Sequence, residues 1–438
     1  MQIIDWVGGD ILGMELPAHG AALAQAGAPF LTQAFRATGA LTSDNHVIGI
    51  TRLQECSGGS TGRKFLLDVE YQQPCPALHT ALFVKFSRDF DDEIRDRGRD
   101  QLEPEVRLAL LSRDPGFPIA VPACYFADYH RDSGTGVLIT QRVPFGRDGI
   151  EPLYAKCLDY EVPEPLAHYQ ALVRALARLA GTHKAGKLPA SVEREFAFDA
   201  AQADASLTLR YNVEQLLKRV QRLADFAADY PGLLPDNIRT DTFFEQLRTE
   251  LPRFVAHEAA IRQWLRSDDH YIALIHWNAN IDNGWFWRDQ RGELQCGLLD
   301  WGGVGQMNVA LALWGALSGA ETALWDNHLD ALLTLFIDEF RGCGGPALEH
   351  RRLKQQLLLY VAMMGISWLL DGPARIRPQL PPPSPTLTCR DPAIRDSELV
   401  RTVLQMMVNV LNLWQRHGFG KILELALVAA AGGATNKQ

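Results

Sequence analysis

This sequence offers nothing on which to build a disulfide or zinc framework. Its seven cysteines, Cys56, Cys75, Cys124, Cys157, Cys296, Cys343 and Cys389, are widely spread, odd in number and never spaced Cys-x-x-Cys. That distribution fits the reduced thiols of a cytoplasmic protein. Basic charge is also short. The 43 Lys and Arg against 52 Asp and Glu give a formal charge of −9, whereas a broad nucleic-acid footprint needs a basic face. No apolar run is long enough to span a bilayer: the most apolar tail, Ile422–Ala431, is short and contains Glu424. The opening MQIIDWVGGD lacks the basic-then-apolar pattern of a secretory signal. No segment repeats at a fixed period, and Gly-Lys-Ser/Thr is missing, which excludes a P-loop. The expectation is a cytoplasmic protein with neither nucleic acid nor membrane as partner.

What is present is an ordinary folded composition. Hydrophobic residues make up 47% and charged residues 22% of 438, enough to bury a large core in two or three lobes. Polar chemistry is concentrated between Leu274 and Gly303. Leu274–Ile275 reads as a strand end, His276–Asn283 as a polar loop and Trp285–Trp287 as an aromatic strand. A turn at Arg288–Glu293 leads into a second apolar strand, Cys296–Leu299, which ends on Asp300. Such a hairpin brings its flanks together, so Asn278 and Asn283 are expected near Asp300. Three short oxygen-bearing side chains suit Mg²⁺, which needs only one or two protein groups when waters and substrate phosphates complete its shell. Asn and Asp also cap backbone groups in polar turns, and the stretch alone leaves both readings open.

Upstream, residues 1–46 read as an extension with one or two helices, such as Pro29–Ala37. From Val47 two β-rich runs flank the turn Ser57–Gly62. Gly58, Gly59 and Gly62 allow backbone N–H groups to approach phosphate oxygens closely, and Ser57, Ser60 and Thr61 carry hydroxyls. A flexible hairpin loop has the same composition. The run ALFVKF, Ala81–Phe86, is a strand with one charge, Lys85, and a lysine so placed either snorkels to an edge or reaches an anion. Glu103–Leu111 opens a helix with Pro104 in its first turn. Glu105 on that helix is also what the helix dipole favours near an N-terminus. Val137–Val143 is a buried strand before a turn at Pro144–Gly149. From Glu164 the apolar positions follow an i, i+3, i+4 face, and His183 within it reads as a hydrogen-bonded core residue. Further helices are expected at 208–228, 241–266, 351–371, 396–417 and 420–431, and one or two at 309–340, with Arg375–Pro385 a Pro-rich extended surface loop or partner-facing segment.

The stretch around His276 resembles the catalytic core of the aminoglycoside phosphotransferase and choline kinase families, small-molecule relatives of the protein kinases. Their pattern is His-x-Asp, an Asn five residues after the Asp, a hairpin, and a strand ending in Asp, often followed by Trp. His276, Asn278, Asn283 and Asp300–Trp301 fall on it, with Asn278 where the family has its catalytic Asp. A second acidic signature is replaced by Gly305-Gln306-Met307-Asn308.

The resemblance implies a two-lobed, protein-kinase-like α+β fold. An antiparallel sheet plus helix would form the nucleotide lobe at 47–146, and a larger, mostly helical lobe would follow at 147–438. It implies ATP and Mg²⁺ as cofactors. Ser57, Gly58, Gly59, Ser60, Thr61 and Gly62 would cover the phosphates, and Lys85, fixed by Glu105, would grip them. The backbone of Thr140, Gln141, Arg142 and Val143 would meet the adenine edge. Asn283 and Asp300 would hold the metal. Asn278 would position the acceptor, with His276 in the same loop and Asp282 a candidate substitute base. The implied activity is transfer of the γ-phosphate to a hydroxyl of a small molecule. It would be slowed because an amide accepts a hydrogen bond but takes no proton at neutral pH, and general-base help is worth roughly 10²–10⁴-fold. The same residues leave two alternatives. One is a nucleotide-binding pseudokinase serving a protein partner as scaffold or regulator, and the other is a kinase fold that transfers AMP.

Overall fold

The computed structural model describes residues 4–56, 62–92, 95, 101–205 and 207–435. The predicted phosphate-covering residues Ser57, Gly58, Gly59, Ser60 and Thr61 lie outside the described residues.

The chain opens with a hairpin, β1 (Trp6–Gly8) paired with β2 (Glu15–Pro17), and then α1 (Gly20–Ala37). His19 caps that helix by accepting the Ala22 N–H at Nδ1 (3.2 Å). The helix is broken at Gly27, whose φ of 64° is left-handed. The kink divides the helix in two, and the second part is the expected Pro29–Ala37, with Pro29 beside the break, where a missing N–H disrupts little.

Five strands follow: β3 (Val47–Cys56), β4 (Arg63–Tyr71), β5 (Ala81–Phe86), and, after helix α2 (Leu102–Leu111), β6 (Cys124–His130) and β7 (Thr135–Gln141). They form one antiparallel sheet in the order β3-β4-β5-β7-β6. Side chains alternate across a strand, and this alternation sorts the sheet into two faces. Leu67, Val69, Leu82, Val84, Phe86, Val137 and Ile139 pack against Phe30, Leu31, Ala34 and Phe35 of α1. Each fully buried side chain of this size contributes roughly 1.5–3 kcal/mol. On the opposite face α2 covers only the β6–β7 side, where Leu102, Val106 and Ala109 meet Cys124, Ala127, Tyr129 and Leu138. The cross-strand pairs Gln54–Leu66, Cys56–Lys64, Lys64–Lys85 and Leu66–Phe83 share that second face.

This sheet belongs to the first of two compact units, Met1–Pro152 with Gly186–Ala197 and Gly297–Gly305. The last segment is tied in by Leu298, whose N–H donates to Ala120 O (3.0 Å). The second unit comprises Leu153–Ala185, Phe198–Cys296 and Gln306–Gln438. In it, α3 (Pro165–Lys184) packs against β8 (Ile272–Ile275), and the buried His183 accepts the Leu274 N–H at Nδ1 (3.3 Å). β9 (Gly284–Arg288) and β10 (Leu294–Leu298) form a two-stranded sheet, and β11 (Gly305–Asn308) pairs with β8. The remaining architecture is helical. An antiparallel sheet plus helix in one unit and a larger, mostly helical unit make the chain α+β, as expected.

Two expectations change in detail. The helix at 241–266 is two, Asp241–Ala256 and Glu258–Leu265, because His257 leaves helical geometry (φ −113°, ψ 13°). Over 309–340, where one or two helices are expected, there are two, Val309–Leu317 and Thr322–Gly342. The segment beginning at Arg375 is not extended at first: Gly372–Ile376 is helical and Arg377–Gln379 is a 3₁₀ turn. All seven cysteines are free thiols. Among the described residues, no single helix is long and apolar enough to cross a membrane.

Candidate functional site

Lys85 is the charged residue of an otherwise apolar strand, and β5 turns it to the face that α2 flanks. Its Nζ donates to Glu105 Oε2 (2.5 Å) and to Asp300 Oδ1 (2.9 Å). Glu105 comes from the first turn of α2, and Asp300 from the distant segment of the same unit. The lysine and glutamate side chains are 4% and 8% exposed, while Asp300 is 42% exposed, so one carboxylate seals the pair and the other opens outward. Burial pushes the Lys85 ammonium down, but Glu105 and Asp300 together outweigh it and hold Lys85 well above its usual range. Burial pushes the Glu105 carboxyl up, against the opposing pull of Lys85.

Asp300 itself is left-handed, with φ 57°, a conformation that Asp tolerates better than most side chains. The turn is braced by Trp301, whose indole Nε1 donates to Leu298 O (3.0 Å). At the same end of β5, beside Lys85, Gly62 has φ 77°, and a Cβ there would lie 1.9 Å from Phe86 O. Only glycine lets β4 begin so close to β5.

The predicted hinge residues are largely engaged in the sheet. Thr140 pairs with Phe83 and Cys124. The Gln141 N–H donates to Ala123 O (2.8 Å), the Arg142 N–H to Ala81 O (3.1 Å), and Val143 O accepts from Phe145 N–H (3.0 Å). The Arg142 guanidinium is paired with Asp68 (2.6 Å).

In the second unit the loop after β8 is a web of amides. His276, fully buried, accepts the Asn278 N–H at Nδ1 (3.2 Å), which requires the Nε2–H tautomer. Asn278 Oδ1 accepts from Asn280 Nδ2 (3.0 Å), and Asn280 Oδ1 accepts from Ser318 Oγ (3.2 Å). Asn283 Nδ2 donates to Asn278 O (2.8 Å), so its own Oδ1 is the group that remains for a ligand. Asp282 instead faces Lys156 (Oδ2–Nζ 3.4 Å), and its Oδ1 is buried without a hydrogen-bond partner. Burial pushes its carboxyl up, and Lys156 only partly offsets this. Asn308, within the run that replaces the second acidic signature, caps Val309–Leu317 by accepting the Ala310 N–H (2.9 Å).

Lys85, Glu105 and Asp300 are thus brought together, as are His276, Asn278 and Asn283. Lys64, Asn280 and Lys156 were not singled out from sequence. Lys64 could be found only through strand register. Asn280 lies between two residues that were named, and its position alone was a usable signal.

No family model matches the sequence, and no curated protein matches it. Among solved structures it is similar to a microcompartment-associated aminopropanol kinase, at 13% identity and a TM-score of 0.40 over 86% of this chain and 95% of that one. It is also similar to an ethanolamine kinase of Plasmodium vivax, at 11% identity and a TM-score of 0.43 over 85% and 84%. A third is a choline kinase of Cryptosporidium parvum, at 10% identity and a TM-score of 0.42 over 86% and 92%.

Proposed function

We propose that this chain is an ATP-dependent phosphotransferase that moves the γ-phosphate to a hydroxyl of a small molecule in the cytoplasm. The observation that carries the reading is the Lys85–Glu105–Asp300 cluster. A buried ammonium held in place by one sealed carboxylate and one open carboxylate is what a triphosphate with a divalent cation needs: a fixed cation for the phosphates and a hard oxygen donor for the metal. The residues fit the nucleotide in a second respect. Half-buried Leu66 and Phe83 lie on the same sheet face as Lys85 and offer an apolar wall for a base.

In this reading residues 47–146 hold the nucleotide, with Ser57–Gly62 over its phosphates and the Thr140–Val143 backbone at its base. Residues 147–438 carry the loop. The bound Mg²⁺ would neutralise developing charge on the phosphates. Asp300 and Asn283 are its proposed protein ligands. Lys85, oriented by Glu105, holds the phosphates. Asn278 orients the acceptor hydroxyl through its carbonyl oxygen. His276 positions Asn278 through the backbone. Asp282, already committed to Lys156, stays out of proton transfer unless the loop rearranges.

Asn278 favours a second reading, a nucleotide-binding pseudokinase, because no proton acceptor stands at the loop position. A kinase fold that transfers AMP is the third. One experiment separates them: thermal shift with Mg-ATP, followed by product analysis with amino alcohols and aminoglycosides as acceptors. Stabilisation with a phosphorylated acceptor supports the phosphotransferase. Stabilisation without turnover supports the pseudokinase, and an adenylylated product supports AMP transfer. No stabilisation overturns all three.

A further inference from the structure

Lys64 is a charged residue of the first unit's second sheet face that the proposed function leaves unused. It sits directly opposite Lys85 in the β4–β5 ladder and directly opposite Cys56 in the β3–β4 ladder. Cross-strand pairs place their Cβ atoms about 4.5–5.5 Å apart, and like charges so placed destabilise a sheet. The two lysines differ in what surrounds them. Lys85 has two carboxylates, whereas Lys64 has no hydrogen bond or ion pair among the described residues. Burial and the charge of Lys85 push the Lys64 ammonium down, and the more distant Asp300 and Glu105 only partly offset them.

A lysine that merely covers apolar surface sends its head to water; Lys64 is half-buried and faces a second ammonium. Gly62, two residues before it, lies so close to β5 that a Cβ there would meet Phe86 O. Lys64 is also the first inward-facing residue after the Ser57–Gly62 turn, on the face that carries Leu66 and Phe83. A cation held at a cost, in register with a phosphate-gripping lysine, is matched by an anion from outside the chain. We propose that Lys64 is a second phosphate-binding residue beside Lys85, so that nucleotide affinity in this protein depends on two ammonium groups. The inference rests on the nucleotide reading above.

The test is titration calorimetry of the full chain with Mg-ATP, and separately with adenosine, for wild type, K64Q and K64R, with unfolding temperatures alongside. A charge-assisted contact of this kind is worth about 10–100-fold in affinity. K64Q is expected to weaken Mg-ATP by that factor and to leave adenosine unchanged, while K64R keeps most of the Mg-ATP affinity. The unfolding temperature of K64Q should stay level or rise, because a like-charge contact is removed. If K64Q does not fold, K64M, which keeps an apolar stem over the sheet, takes its place. Unchanged Mg-ATP binding in the variant overturns the role of Lys64 and leaves the nucleotide reading standing. An equal loss for adenosine overturns it as well, because the effect would not be on phosphate. Wild-type protein that binds no Mg-ATP brings down both.

Discussion

The polar cluster on the sheet and the polar loop after β8 handle buried polarity in opposite ways. Around Lys85 the groups are ionised and matched, an ammonium between two carboxylates. Around Asn278 they are neutral, and amide answers amide: Asn280 donates to Asn278, Asn283 donates to the Asn278 backbone, and Ser318 donates to Asn280. A matched ion pair fixes one geometry but fails badly when one partner is lost. An amide web tolerates exchange of one member for a carboxylate, because the donors that served a carbonyl oxygen serve an ionised oxygen equally well. The sheet cluster is therefore the part that resists substitution, and the loop is the part whose chemistry can be changed without losing the fold.

The sharpest way to break this contrast is Lys85→Met. It leaves Glu105 buried beside Asp300 with no cation between them. Removing one partner of a buried pair costs about 3–5 kcal/mol, and nucleotide affinity should fall below detection. Urea unfolding and Mg-ATP calorimetry read the two effects. A variant as stable as wild type would mean that Glu105 simply takes a proton and that the ion pair is not structural.

Asn278→Asp works in the other direction. Asn280 Nδ2 already points its donor at Asn278 Oδ1, so a carboxylate is received without rearrangement. Turnover with Mg-ATP and an accepted alcohol should rise by roughly 10²-fold or more, the ordinary worth of a general base. The unfolding midpoint should change little. Unaltered turnover would remove Asn278 from the acceptor position.

How much of this was legible in the sequence depended on how local each signal is. The strand with Lys85 and the helix with Glu105 were readable because a period of two and an i, i+3, i+4 face are written within ten residues. The contact of Lys85 with Asp300 joins distant segments, and the resemblance, not the pattern, pointed to it. Lys64 escaped because its meaning lies in register with β5, and register is a non-local property. The helix expected at 351–371 was right to Met364. It then widens into a π turn at Gly365–Leu369, where a Cβ on Gly365 would lie 2.4 Å from Val410 Cγ1; nothing in the local run announces that neighbour.

A buried carboxylate that accepts from neutral donors sharpens the contrast further. Asp159 accepts from the Tyr169 hydroxyl (3.0 Å) and the Glu321 N–H (2.9 Å), yet burial still pushes its carboxyl up to about 6. Between pH 3.8 and about 6 the folded chain keeps a proton that the unfolded chain has released. The contribution of this group is therefore full at low pH and lost as pH rises through that window. Asp159→Asn removes the titration. Relative to wild type it should gain roughly 2–3 kcal/mol between pH 4 and pH 7, measured as the difference in urea midpoints. A constant offset at both pH values would show that Asp159 ionises as freely folded as unfolded.

The smallest effect tests whether the amide web orients Asn278 or merely fills space. Asn280 is 2% exposed and links Ser318 to Asn278. Asn280→Ala deletes the donor to Asn278 and strands the Ser318 hydroxyl, at a cost of about 1–3 kcal/mol. Stability alone cannot distinguish orientation from packing, since both lose the same bonds. The double variant can. If Asn280 aims residue 278, the gain in turnover from Asn278→Asp should shrink several-fold when Asn280 is alanine, because a carboxylate without its donor samples other rotamers. If the gain is the same with and without Asn280, the two changes are additive, residue 278 is held by its backbone through His276 and Asn283, and the side-chain web is packing.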